Sequence, residues 1–92
     1  MLPKGEGGYS PPPMYFVCII ESVGSPGRHY TGLSKNYVAR LISHNQGRSR
    51  HTRKYLPWKL NAAIAVVEKS KAVALENYLK SGSGRAFAKK HF

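Results

Sequence analysis

The chain turns apolar at Met14–Glu21 (MYFVCIIE), a β-branched and aromatic run. Prolines precede it, and Gly24-Ser25-Pro26-Gly27 follows it. This predicts a strand and then a loop. Near-continuous apolarity predicts burial on both faces. Arg28–Leu33 (RHYTGL) is the expected return strand, and the short connection makes the pair an antiparallel hairpin. Gly32 within it predicts a bulge or a close backbone approach. Ser34 is the expected N-cap of a helix that carries Val38, Leu41 and Ile42 at helical spacing. Tyr37, Arg40 and His44 fall on another stripe, and Gly47 is the stop. Gln46–Trp58 (QGRSRHTRKYLPW) reads as a basic loop.

Leu60–Glu68 (LNAAIAVVE) predicts a third strand, although its alanines leave a helix open. Ser70 is the expected cap of a second helix with Ala72, Leu75, Tyr78 and Leu79 inward, ended by Gly82. Ser83 is the expected cap of a short last helix over Gly84–Lys90, anchored by Phe87. The order is ββαβαα, an α+β arrangement, with no internal repeat.

A length of 92 residues allows one domain. Met1–Pro13 (MLPKGEGGYSPPP) has no apolar h-region and reads as a flexible leader ending in an extended proline run. The folded unit is therefore expected over 14–92. No stretch approaches the roughly 18 apolar residues of a membrane span. A single cysteine, Cys18, excludes an internal disulfide and a cysteine-built zinc site, and it fits a reducing, cytoplasmic setting.

Charge narrows the function classes further. Lys and Arg number 15 against 4 acidic residues, all of them Glu, for a formal net charge of +11. This points to a polyanionic partner, nucleic acid before an anionic membrane surface. Between Glu21 and Glu68 there is no acid. That interval holds Arg28, Lys35, Arg40, Arg48, Arg50, Arg53, Lys54 and Lys59, with Tyr30, Tyr37, Tyr55 and Trp58 interleaved. Each cation that neutralises a phosphate releases a counterion, so binding builds with contacts and falls with salt. A solvated basic loop with ordinary core aromatics is the plainer explanation of the same residues.

The order of the pieces is more specific than the charge. Tyr30-Thr31-Gly32 follows the first strand. Then come Arg40, His44-Asn45-x-Gly47, a basic loop closing in Pro57-Trp58-Lys59-Leu60, and Glu76 within the segment Glu76–Arg85 (ENYLKSGSGR). From Tyr15 to about Phe92 this resembles the GIY-YIG nuclease superfamily, in particular its small stand-alone members. The resemblance implies a small three-stranded antiparallel sheet flanked by helices. It also implies metal-dependent hydrolysis of phosphodiester bonds in DNA. Carried over residue by residue, Tyr30 lies near the attacking water, Arg40 contacts the scissile phosphate and Glu76 holds one Mg²⁺ or Mn²⁺ ion. His44 matches a histidine that some members use in acid–base work. Lys35, Arg48, Arg50, Arg53 and Lys54 are the expected contacts to DNA.

Elementary chemistry agrees with these assignments. Hydrolysis needs an activated water, a Lewis acid and cationic help for the charge that develops on phosphorus. Mg²⁺ keeps most of its waters and needs only one or two carboxylates plus substrate. With Glu21, Glu68 and Glu76 as the acids of the folded part, one ion is expected rather than two. A tyrosine hydroxyl ordinarily titrates at about 10, so it acts as a base only where cations favour the phenolate. Histidine titrates near neutrality unaided. Singly, each of these residues has an ordinary structural explanation: a packed tyrosine, a surface arginine, a helix-end histidine, or a Glu76–Lys80 pair at i, i+4.

The chain departs from the family pattern in its first motif. Val17 falls where a tyrosine usually stands, and Tyr15, on the same strand face, is the expected substitute. Leu33 replaces a lysine, with Lys35 the nearest alternative, and no asparagine is evident near Ala86–Lys90. A binding module of the same fold without turnover is the competing expectation. Sequence specificity is expected to be low unless a partner protein supplies it.

Overall fold

The computed structural model describes residues 14–92; the leader expected over 1–13 lies outside the described residues. Three strands and three helices follow one another as β1 (Tyr15–Ser22), β2 (His29–Ser34), α1 (Tyr37–Asn45), β3 (Trp58–Val66), α2 (Lys69–Lys80) and α3 (Gly82–His91). The sheet is antiparallel with order β2-β1-β3, so the most apolar strand is central. This is the expected ββαβαα fold. Leu60–Glu68 forms a strand rather than a helix, because its partner β1 pairs along its whole length.

Burial on both faces of β1 follows from what each face meets. Val17 and Ile19 join Ala72 and Leu79 in the main core, with Leu33, Ala62, Ile64 and Leu75 packed around them. Fully burying aliphatic side chains of this size contributes ~1.5–3 kcal/mol each. Cys18 and Ile20 alternate to the other face, beneath α1. Thus α2 and α3 cover one side of the sheet and α1 the other.

Several local expectations are corrected. The β1–β2 ladder runs unbroken through Gly32; the irregularity lies between Ile19 and Ile20 on β1, opposite Asn61 of β3. What approaches Gly32 is the Tyr30 ring, since a Cβ there would lie 3.2 Å from Tyr30 Cε2. Ser34 is the last residue of β2, so the cap of α1 falls to Asn36, whose Oδ1 accepts the Ala39 N–H at 3.0 Å. Ser34 Oγ accepts the Asn36 N–H instead and holds that cap in place. Val38 and Ile42 are both 52 % exposed; the inward face of α1 is Tyr37, Leu41 and His44. Gly47 is confirmed as the stop, at φ +74° with its N–H on the His44 carbonyl.

Glu68 rather than Ser70 precedes α2, because β3 ends early enough for the helix to begin at Lys69. Tyr78 is exposed rather than inward, and it packs edge-on against Phe87. Ser81, not Ser83, separates α2 from α3, and its Oγ accepts the Gly84 N–H at 3.1 Å. Gly82 opens α3 rather than ending α2. Phe87 is 42 % exposed; Ala88 and Gly84 face the core in its place.

Candidate active site

Tyr30 on β2 and Arg40 and His44 on α1 meet around one niche between the sheet and that helix. Cys18, Ile20, Gly32, Ser34, Tyr37, Leu41 and Leu60 complete its wall. Its volume is about 10 Å³, roughly the room of a single water molecule. Pairing explains the convergence. Ile20 lies opposite Tyr30, Cys18 opposite Gly32 and Phe16 opposite Ser34, so these residues share one face. Arg40 and His44 are one helical turn apart above them.

His44 is 4 % exposed, and its Nδ1 lies 2.8 Å from Thr52 Oγ1. Its other ring nitrogen, Nε2, is buried with no partner among the described residues. The Tyr30 ring meets the imidazole edge-on at 5.2 Å between centroids. Burial, aided by the neighbouring Arg40 charge, pushes the His44 pKa below its ordinary value of 6.5. The ring is thus neutral at neutral pH and able to accept a proton. The unfolded chain takes up this proton first, so stability is fully present above about pH 6.5 and falls as pH drops below it.

Thr52 and Asn45 hold this arrangement, and neither was assigned a role from the sequence. Thr52 is 2 % exposed. Its hydroxyl meets His44, and its carbonyl accepts the Trp58 indole N–H at 2.8 Å. Asn45, at the end of α1, accepts the Trp58 N–H at 2.6 Å and donates to the Trp58 carbonyl at 3.0 Å. The loop from Gln46 to Pro57 is therefore closed at its base and pinned in its middle. The sequence signal was the polar Thr52 inside a cationic stretch, where burial has no periodic pattern to announce it.

Thr52→Val removes the hydroxyl from a buried ring nitrogen. The expected cost is about 1–3 kcal/mol, read as a lower urea midpoint. Thr52→Ser restores the partner and is expected to recover most of it.

On β1 the residues in the niche are Cys18 and Ile20. Val17 and Tyr15 belong to the opposite face, packed with the α2 core, so the structure does not bring Tyr15 to Tyr30. Cys18 is 8 % exposed, and burial raises its pKa against the lowering effect of Arg40, which keeps it a thiol.

Glu76 lies on α2, which packs against β1 and β2 from the far side, and it does not line the niche. Its side chain is 17 % exposed and its Oε2 pairs with Lys80 Nζ at 3.2 Å. The other described acids are engaged elsewhere. Glu21 accepts the Gly27 N–H and the Asn61 amide, which hold its carboxyl below the usual range, and Glu68 pairs with Lys71. No group of three His, Cys, Asp or Glu gathers among the described residues. Glu76 as a lone carboxylate suits a hard ion that keeps its waters, not a cage of protein ligands.

The expected DNA contacts occupy two places. Arg48, Arg50, Arg53 and Lys54 are exposed on the loop after α1, part of which is a 3₁₀ turn over Arg53–Tyr55. None of them has an acidic partner among the described residues. Lys35 follows β2, with its Nζ 5.4 Å from the centroid of the Tyr15 ring.

No helix among the described residues is long and apolar enough to cross a membrane. A search of curated proteins finds no match to this chain. The family description "GIY-YIG catalytic domain" matches residues 14–90, nearly the whole described chain. With the ββαβαα fold and that match, the chain belongs to the GIY-YIG nuclease superfamily, whose members act on DNA.

Proposed function

We propose that the protein is a metal-dependent DNA endonuclease with low intrinsic sequence specificity. The observation that carries this reading is the meeting of Tyr30, Arg40 and the unpartnered His44 Nε2 around a niche of one-water size. A water there has the neutral His44 imidazole as its proton acceptor, with Tyr30 lining the same niche. Arg40 is exposed at the rim, where a guanidinium can meet the charge that grows on a phosphate. Hydrolysis adds the water's oxygen to phosphorus, the water's proton passes to the His44 imidazole, and the departing sugar oxygen takes a proton from solvent.

Glu76, a lone carboxylate outside the niche, would hold one Mg²⁺ or Mn²⁺, and such an ion would supply Lewis acidity. Lys35, Arg48, Arg50, Arg53 and Lys54 grip the backbone without reading bases, which is why specificity is low. A separate protein would be needed to supply it.

One observation favours the alternative of a binding module. Cys18 brings a thiol, not a tyrosine hydroxyl, to the β1 position in the niche. A labelled panel of duplex, nicked and branched DNA with Mg²⁺, Mn²⁺ or EDTA separates the two. Cleavage is expected with either ion and none with EDTA. Arg40→Ala is expected to lower turnover ~10²–10³-fold with an unchanged melt, as for one lost electrostatic contact to the transition state. Wild-type protein that binds every DNA and cuts none establishes the binding module instead.

A further inference from the structure

We propose that the groove between the β1–β2 connection and the α2–α3 pair receives a single strand of nucleic acid. The preferred substrate is then DNA with a single-stranded arm. The groove lies on the sheet face opposite α1 and measures about 1090 Å³, as large as the upper range of small-molecule pockets, about 1,000 Å³. Its cations are Arg28, Arg85, Lys89 and Lys80, the last of them paired with Glu76. Glu21 is the acid in the wall, and it is already answered by Gly27, Asn61, His29 and Lys59. Its positive charge without an acidic partner among the described residues therefore comes from Arg28, Arg85 and Lys89. Arg85 and Lys89 stand one turn apart on α3 and have no acidic partner among the described residues.

Charge alone would suit any polyanion; the apolar part of the groove decides between forms of DNA. Ile19 and Leu79 beneath it are core residues, 3 % and 2 % exposed, so the apolar surface it offers a ligand is the Phe92 ring, 47 % exposed. A duplex keeps its base faces stacked inside and offers only phosphates, so such a ring gains nothing from it. A single strand offers both, with phosphates for the cationic walls and bare bases for the aromatic ring. The cations of the loop after α1 project from a surface instead, as suits a duplex backbone.

Tyr30 joins the two regions, because it lines both this groove and the niche under α1. A strand in the groove and a duplex on the loop would meet at Tyr30. This last step rests on the nuclease reading; the binding of a strand does not.

The test is fluorescence anisotropy with a labelled oligo-dT of about 12 nucleotides, within the span of common single-strand sites, and with a blunt duplex. Arg85→Ala/Lys89→Ala is expected to weaken strand binding roughly tenfold. The slope of log K against log salt should fall by about 0.7 for each cation removed. Duplex binding should stay within about twofold of wild type, since its phosphate contacts lie on the loop. Arg85→Glu/Lys89→Glu should enlarge the first effect, and a melt verifies the fold of both variants. Unchanged strand affinity and slope in the folded variants, or an equal loss on strand and duplex, overturns the proposal.

Cleavage of splayed-arm against blunt duplex DNA separates this failure from that of the nuclease reading. A nuclease whose variants bind strands as the wild type does refutes the groove alone. A wild type that cuts nothing while its variants lose strand binding refutes the nuclease alone.

Discussion

Glu76→Gln is expected to give a folded protein that no longer cleaves DNA in Mg²⁺ or Mn²⁺. Glutamine keeps the shape of the side chain and removes its charge, so the partly buried site on α2 stays filled. What is lost is the anionic oxygen on which a hard cation depends. The Lewis acidity of a bound ion is worth several kcal/mol at the transition state. At about 1.4 kcal/mol per tenfold this is a fall of ~10³ or more in rate. Stability should hardly change, because a partly exposed i, i+4 pair such as Glu76–Lys80 is worth ~0.3–0.5 kcal/mol. DNA affinity in EDTA should also persist. Turnover, a circular dichroism melt and anisotropy together decide the matter. A folded variant that cuts at the wild-type rate removes Glu76 from the metal role.

The second large effect is on stability. At Gly84 an added Cβ would overlap the Tyr78 carbonyl and lie 2.6 Å from Leu79 Cα. Both obstacles are backbone, so no side chain can turn away. Gly84→Ala must therefore part α3 from α2 and withdraw Ala88 from the core around Leu79. Overpacking a core costs ~1–3 kcal/mol when neighbours can adjust; here they cannot, and a loss at or above that range is expected. Gly82 is the control. A Cβ there meets nothing within 4 Å, so Gly82→Ala should be neutral or stabilise by up to ~0.4–1 kcal/mol. Urea midpoints of the two variants should move in opposite directions or differ widely. Equal midpoints would show that α2 and α3 do not approach so closely.

Element types and their order were readable from the chain, because β-branched runs and helical spacing report what a segment does by itself. Caps were misplaced wherever the competing event was the end of a strand. Ser34 looked like a cap by its chemistry, but pairing with Phe16 keeps it in β2 and passes the role to Asn36. The inner face of α1 was left undecided between two stripes for a related reason. Val38 and Ile42 are apolar and still face outward, because the partner surface is the narrow strip of β1 and β3 reached by Leu41 and His44. Helical periodicity gives a stripe; only the sheet selects which one is covered.

The same limit governed the site. Tyr30, Arg40 and His44 were found by motif and spacing, and the structure places them together. The β1 contribution was not found, because a strand apolar on both faces carries no alternation to tell Cys18 from Val17. Glu76 was singled out by its segment, and nothing in that segment tells that it lies outside the niche. Thr52 had only its polarity within a cationic stretch as a signal, since one buried hydroxyl in a loop makes no periodic pattern.

The bond from the Trp58 indole to the Thr52 carbonyl has an optical meaning. Trp58 is the sole tryptophan of the chain and is 4 % exposed. Its ultraviolet emission therefore comes from one site, the point where the cationic loop is fastened beneath the imidazole. While that bond holds, the indole is dry and emits toward the blue. When the loop lifts, water reaches the ring and the emission moves to the red. Binding of DNA to the loop, acid release of His44 and unfolding of the whole domain can each be followed by this one colour, without any label.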